Sequence, residues 1–348
     1  MHPPFRPVPF RLMAFLAVLP TLVTQPGSAQ NAPAVTGKGV TLTDNGTTVR
    51  IEMNGQLFTE YHYKEFSFPV FFPVIGPGGA PMTRNYPFKE LPEEDHDHPH
   101  HRSLWFTHSR INEVNFWAVN PIKDKKPGET RHDGFLAMES GPTMGLLRCK
   151  NRYVDPNTDK VICTDERTYR FYAPNAQDDS RQMDYEVTIH ASEGEVVFGD
   201  QKDGGMAIRV AVTMQNTRQT KDKKAPSIPA AGHLVNSEGQ RDGDTWGKRA
   251  RWVDIQGPVD GKPVGVAMFD HPGNPRHPTW WHARTYGLCA ANSWGQHSFE
   301  GKPDVNLGNQ TIPRGESMTL RYRLYFHSGD EKSARVEEEY GNYARESR

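Results

Sequence analysis

The run Met318-Thr319-Leu320-Arg321-Tyr322-Arg323-Leu324-Tyr325-Phe326 alternates between apolar and polar side chains. A period of two puts one set of side chains in a core and the other in solvent, which is the signature of a half-buried strand. Runs of this kind, rich in Val, Ile, Thr, Tyr and Phe, recur along the chain between turn residues. Thr47 to Met53 and Gln56 to Tyr63 predict a hairpin around Asn54-Gly55, a favoured two-residue turn. Met144 to Tyr153 and Val161 to Tyr172 predict another, around Asp155-Pro156-Asn157-Thr158. Phe68 to Ile75, Asp184 to Ala191, Glu195 to Phe198, Ala207 to Gln215, Ala250 to Ile255, Val264 to Phe269 and Ser317 to His327 continue the series. Gly (31) and Pro (28) are frequent enough to break the chain into such short pieces. Helical character is confined to Asp330–Tyr343, with Ser328 or Asp330 available as a cap. Many strands without alternating helices predict an all-β fold: a large antiparallel two-sheet β-sandwich with a short C-terminal helix.

The N-terminus reads as an export signal. Arg6 and Arg11 precede the apolar stretch Leu12 to Val23, which is short for a span of roughly 30 Å. Gly27-Ser28-Ala29 supplies small residues for cleavage after Ala29. The expected organisation is a signal peptide over 1–29, a disordered segment over 30–39 and one sandwich domain over 40–348. The mature chain would then be periplasmic or secreted, with no membrane span. Gln219 to Pro229 reads as an exposed loop. A net charge of −1 offers no basic stripe for nucleic acid. Cys149, Cys163 and Cys289 lack Cys-x-x-Cys spacing, which argues against structural zinc. Cys149 and Cys163 either bridge a hairpin or remain buried thiols, the second reading being preferred.

Two histidine clusters carry the candidate chemistry. One is Asp95-His96-Asp97-His98-Pro99-His100-His101-Arg102-Ser103-Leu104-Trp105, and the other runs from Asp270-His271-Pro272 through Arg276-His277 to Trp280-Trp281-His282-Ala283-Arg284. Imidazole moves protons or binds metal near neutral pH, Arg offers a fixed fork of donors, and Trp offers an apolar face. In an extended segment His98 and His100 point one way and His101 the other. Asp97 could orient one ring by accepting its N–H. Both clusters are expected on loops facing one pocket; a solvated His-rich loop is the competing reading of the first alone. The Gly-rich turn Gly199-Asp200-Gln201-Lys202-Asp203-Gly204-Gly205 puts Asp200 or Lys202 at the rim, or is simply a charged hairpin turn. Gly232-His233 and Thr245-Trp246-Gly247 could close another side. No Gly-x-Ser-x-Gly elbow and no His-Glu-x-x-His motif is present.

Asp97-His98-Pro99-His100-His101-Arg102-Ser103, Asn115-Phe116-Trp117, Thr245-Trp246-Gly247, Asp270-His271-Pro272 through Trp281-His282-Ala283-Arg284 with Tyr286-Gly287, and Tyr322-Arg323 together resemble the bacterial family labelled PmoA-like, or "methane oxygenase PmoA". The likeness covers about residues 40 to 330. Asn112-Glu113-Val114-Asn115-Phe116-Trp117 departs from the family's Asn-Gly-x-Asp-Phe-Trp, which weakens any carboxylate role at position 115. The resemblance implies no established catalytic residues. The label is not a function, because methane oxygenase subunits cross membranes with several helices. The strand pattern also looks like the mutarotase-like supersandwich, in which sugars lie on a sheet face lined by His, Arg, Trp and carboxylates.

The expected activity is acid–base chemistry on a small sugar or oligosaccharide substrate: epimerisation, lyase-type elimination or glycoside cleavage. His98, His100 and His271 are the candidate catalytic residues. His101, Arg102, Trp105, Asp200, Asp270, Arg276, Trp281, His282 and Arg284 are the candidate substrate-binding residues. No metal ligand set is assigned, and the cofactor is unknown. The alternatives are a metal-dependent oxidoreductase using His98, His100 and His271 or His282, and a non-catalytic glycan-binding module.

Overall fold

The computed structural model describes residues 1, 4, 38–174, 179–218 and 227–346. The expected signal peptide, most of the 30–39 segment and most of the 219–229 loop lie outside these residues. In chain order the strands are β1 (Val40–Asp44), β2 (Thr48–Met53), β3 (Gln56–His62), β4 (Val70–Val74), β5 (Leu104–His108), β6 (Glu129–Glu139), β7 (Met144–Asp155), β8 (Lys160–Tyr172), β9 (Arg181–His190), β10 (Val196–Phe198), β11 (Gly204–Arg209), β12 (Thr217–Arg218), β13 (Ile228–Pro229), β14 (His233–Asn236), β15 (Trp252–Val259), β16 (Lys262–Asp270), β17 (Trp280–Trp281), β18 (Leu288–Asn292), β19 (Gln310–Ile312) and β20 (Ser317–Ser328). The helices are α1 (Gln296–Glu300) and α2 (Val336–Arg345).

Two eight-stranded sheets, antiparallel throughout, form the sandwich. The first runs β1-β2-β3-β4-β5-β11-β18-β17, and the second runs β14-β15-β16-β20-β9-β8-β7-β6. The expected all-β two-sheet class is therefore the observed one. At Asn54-Gly55 both residues have positive φ (51° and 75°), the backbone a two-residue hairpin needs and one Gly adopts without strain.

The pleat decides which residues enter the core. On β20, Met318, Leu320, Tyr322, Leu324 and Phe326 face the first sheet, and on β11 Met206 and Ile208 face the second. Ala267 and Phe269 on β16 and Tyr325 on β20 face outward, where Val336, Tyr340 and Tyr343 of α2 cover them. The expected C-terminal helix thus exists, but it begins at Val336 without a side-chain cap. Asp330 caps the turn before it, accepting from the Ser333 N–H at 2.8 Å.

Several expectations change in detail. Leu104–His108, whose first residues are expected on a loop, and Leu288–Asn292 are interior strands of the first sheet, and every residue in both is buried. The strand expected over Ala207–Gln215 ends at Arg209, and Val212–Met214 forms a 3-10 turn. Cys149, Cys163 and Cys289 are buried free thiols. Across the β7–β8 hairpin Cys149 pairs with Arg167 while Cys163 pairs with Tyr153, a register that keeps the two cysteines off a common rung. Among the described residues no helix is long and apolar enough to cross a membrane.

Candidate functional site

The candidate site stands on the outer face of the first sheet. Register places Trp105 beside Ala207 and Ala207 beside Ala290. Ala290 then exchanges both backbone hydrogen bonds with His282 (2.9 and 3.2 Å). Two residues further along, Arg209 pairs with Leu288, whose carbonyl accepts from the Arg284 N–H at 2.7 Å. Since side chains on one face repeat every second residue, Trp105, Arg209, His282 and Arg284 project from the same face. The methyl groups of Ala207 and Ala290 lie between Trp105 and His282 and complete a buried floor.

The first histidine cluster lies over this floor. It is not extended: the His101 N–H donates to the His98 carbonyl at 2.9 Å, closing a turn with Pro99 at its second position, where proline's fixed φ fits. His98 itself sits at φ 44°. The turn therefore gathers all three imidazoles, instead of sending His101 to the opposite side. The His98 and His101 rings stack at 4.7 Å and 2°, and His98 also stacks on Tyr286 at 5.5 Å. His100 meets His101 edge-on at 4.5 Å and lies 6.3 Å from Trp117. Trp105 underlies His101 at 5.8 Å.

Two fully buried arginines anchor the loop. Arg84 donates to the Asp97 carboxylate at 2.6 Å, to the carbonyl of Asp95 at 3.2 Å and to that of His98 at 3.0 Å. Arg209 reaches the same Asp97 oxygen at 3.4 Å and donates to His101 Nδ1 at 3.3 Å, with its guanidinium 4.6 Å from the Tyr286 ring centre. That contact makes His101 Nδ1 an acceptor, so the ring is neutral with its proton on Nε2. His98 Nδ1 donates to the other Asp97 oxygen. Burial opposes ionisation of Asp97, yet the hydrogen bond from His98 and the charges of Arg209 and Arg84 hold its carboxyl well below the usual range. Burial, then the neighbouring His98, pushes His100 down to about 4, against the pull of Asp203. Burial and Arg209 push His101 well below its ordinary value. His282 falls to about 4 through burial, opposed by Asp203.

The second cluster divides between the sheets, because β16 belongs to the second sheet and β17 to the first. His282 and Arg284 join the site: His282 Nδ1 lies 3.5 Å from Asp203, and Arg284 lies 5.4 Å from the Tyr286 ring and 6.0 Å from that of Trp246. His271 does not; its ring meets Tyr343 of α2 at 5.2 Å, on the outer side of the second sheet. The single pocket expected for both clusters is therefore corrected. Asp270 is buried and clamps its own turn, accepting from Asn274 Nδ2 (2.8 Å), His277 Nδ1 (2.7 Å) and the Thr279 N–H (2.9 Å). Trp281 points into the sandwich core and donates to the Ala250 carbonyl at 2.9 Å, so it is no stacking platform.

Asp200 and Arg276 are also structural. Asp200 is buried and accepts from the N–H groups of His297 and Gly308 at 2.7 and 2.6 Å. Arg276 donates to the carbonyls of Gly308 and Asn309 at 2.6 and 2.8 Å. From the Gly-rich turn it is Asp203 that reaches the site, paired with Lys202 at 3.0 Å. Arg102 lies beside the cluster in an aromatic sleeve, 4.8 Å from the Phe66 ring and 5.5 Å from that of Phe68, and burial brings it down to about 10.

The sequence reading missed Arg84, Asp203 and the placement of Arg209. Arg209 had a visible signal: Met206-Ala207-Ile208-Arg209 alternates large apolar residues with a small one and a charge. Arg84 had none, since it reaches the site only because its N–H pairs with the Arg209 carbonyl (3.1 Å). Among the described residues no group of three or more His, Cys, Asp or Glu side chains is arranged to hold a metal ion.

Known proteins place the chain in outline. No match to a curated protein is found. Similar solved structures include a putative aldose 1-epimerase from Escherichia coli K12 (8% identity, TM-score 0.34, covering 83% of this chain and 99% of that one). A galactose mutarotase related enzyme from Lactobacillus acidophilus matches at 8% identity and TM-score 0.28, covering 83% of this chain and 97% of that one. A glycoside hydrolase family 97 enzyme from Pseudoalteromonas sp. strain K8 matches at 9% identity and TM-score 0.29, covering 82% of this chain but 33% of that one. Scores this low carry no functional inference. The family model that matches, over residues 48–341, is described as a family of unknown function and not as PmoA-like, so the PmoA-like resemblance is corrected, and the oxidoreductase reading loses the label it was drawn from. The matched span contains every residue of the site, and the chain belongs to this family of unknown function, DUF6807.

Proposed function

We propose that the outer face of the first sheet binds a sugar and that the Asp97–His98 pair moves a proton on it. One observation carries this reading: His98 is partly exposed while its Nδ1 is bonded to a carboxylate that two buried arginines keep ionised. Nδ1 thus holds the ring hydrogen, and Nε2 is left as the base. Protonation at Nε2 gives an imidazolium that Asp97 stabilises, the arrangement general acid–base catalysis needs. His101 and Tyr286 fix the ring plane by stacking. His100, neutral near pH 7, offers a second acceptor or a donor. Arg284, His282 and Asp203 lie on the other side of the face with groups suited to hydroxyls. Trp105 and Trp117 are the buried apolar support on which His101 and His100 rest. Epimerisation, elimination and glycoside cleavage all require such a proton-transfer group.

The test is turnover on a panel of aldoses, ketosugars and glycosides by wild type, His98→Ala and His271→Ala. His98→Ala should lose about 10²–10⁴-fold in rate, and His271→Ala should stay at the wild-type rate. Full activity in His98→Ala overturns the role of the pair; wild-type binding without turnover would leave a glycan-binding module. Export is proposed alongside, from the short apolar stretch and Gly27-Ser28-Ala29. A mature N-terminus at or near Gln30 is expected, and Met1 retained on the mature protein would refute it.

A further inference from the structure

We propose that the sugar bound here is acidic, a uronic acid unit whose carboxylate is taken by Arg284; this rests on the reading of the face as a sugar site. Four guanidinium groups collect on this face: Arg84, Arg102, Arg209 and Arg284. Arg84 and Arg209 share one carboxylate oxygen of Asp97. Asp95 adds a more distant negative charge that Arg209 senses. Lys202 and Asp203 neutralise each other. Among the described residues no carboxylate pairs with Arg102 or Arg284, and the Arg284 guanidinium lies beside the faces of Tyr286 and Trp246. The face therefore carries excess positive charge, although the whole chain is at −1.

Hydrogen-bonding capacity leans the same way. Trp105 and Trp117 are at most 3% exposed, and the indole N–H of each has no partner among the described residues. Nε of Arg84 and of Arg209, and Nε and Nη1 of Arg102, are buried and unpartnered as well. All of these are donors, against one unpartnered acceptor beside them, Asp95 Oδ2. Buried polar groups are normally satisfied, so a surplus of donors on one face selects an acceptor-rich, negatively charged ligand. Arginine is also the side chain whose planar fork matches a carboxylate with two parallel hydrogen bonds. A neutral sugar, which offers as many hydroxyl donors as acceptors, would leave both the charge and the donors uncompensated.

The experiment is calorimetric titration of the full chain with three matched pairs: glucose and glucuronate, galactose and galacturonate, mannose and mannuronate. Each pair differs only in the carboxylate. At least one uronate should bind about tenfold or more tighter than its neutral partner, the scale of a charge-assisted hydrogen-bonded pair. Added salt should reduce that preference. Arg284→Gln should bring the pair to within about twofold while leaving the melting temperature unchanged, and Arg284→Lys should restore part of the preference. Neutral sugars binding as tightly as uronates would overturn the acidic ligand while leaving the sugar site standing. Discrimination that survives Arg284→Gln would overturn the role of Arg284. No binding by either member of any pair would overturn both this inference and the sugar reading.

Discussion

Acidification offers a test that needs no ligand, because the fold buries neutral histidines. His101 and His282 lie in the site, and His108 lies inside the sandwich against Trp294 at 5.0 Å, bonded to the Gly199 carbonyl at 2.7 Å. All three are at most 3% exposed. Burial pushes His108 and His282 down to about 4 and His101 well below its ordinary value. In the unfolded chain each titrates near about 6.5. Between about pH 6.5 and 4 the unfolded chain therefore binds protons that the folded chain refuses. Their contribution to stability is complete above the unfolded value and is lost as pH falls toward the folded values. Each such proton costs about 1.4 kcal/mol per pH unit, so three give about 4 kcal/mol per unit. That is a large part of a typical total of about 5–15 kcal/mol. His327 works in the opposite sense, since Asp254 outweighs burial and raises it, but only above the unfolded value, outside this window. The assay is urea unfolding at about pH 7, 6 and 5, with the midpoint and slope fitted at each. The midpoint should fall steeply below about pH 6 with an unchanged slope. A midpoint that stays flat from pH 7 to 5 would refute the buried neutral histidines.

Three further outcomes follow from particular contacts. Trp281→Ala should cost about 3–5 kcal/mol of stability by emptying part of the core, read by urea unfolding; an unchanged midpoint would contradict its burial. Arg84→Met should cost on the order of 3 kcal/mol, because it strips Asp97 of a buried charged partner at 2.6 Å and removes the Arg84 donor from the loop carbonyls of Asp95 and His98; a midpoint equal to wild type would show that the loop is held by other contacts. None of Cys149, Cys163 and Cys289 should react with a thiol reagent in the folded protein, and all three should react in urea with or without prior reduction; fewer than three reacting without reductant would indicate a disulfide.

Local pattern determined much of this protein. The alternation in Met318–Phe326 specifies β20 and its inward face, and Asn54-Gly55 specifies a hairpin, because pleat and turn are fixed by neighbouring residues alone. The all-β class follows from the same rules. Asp97 beside His98 was legible as an oriented pair, since adjacent residues need no tertiary fold to meet. The floor of the site was not legible. Leu104–His108 and Leu288–Asn292 are covered on both faces and show no alternation, so only their neighbours make them strands. His271 and His282 share one cluster in sequence, yet the chain crosses from β16 in the second sheet to β17 in the first between them, and only the sandwich decides that one joins His98 while the other packs on α2. Arg84, Arg209 and Asp203 meet Asp97, His101 and His282 through strand register, a contact between distant segments that no local pattern encodes.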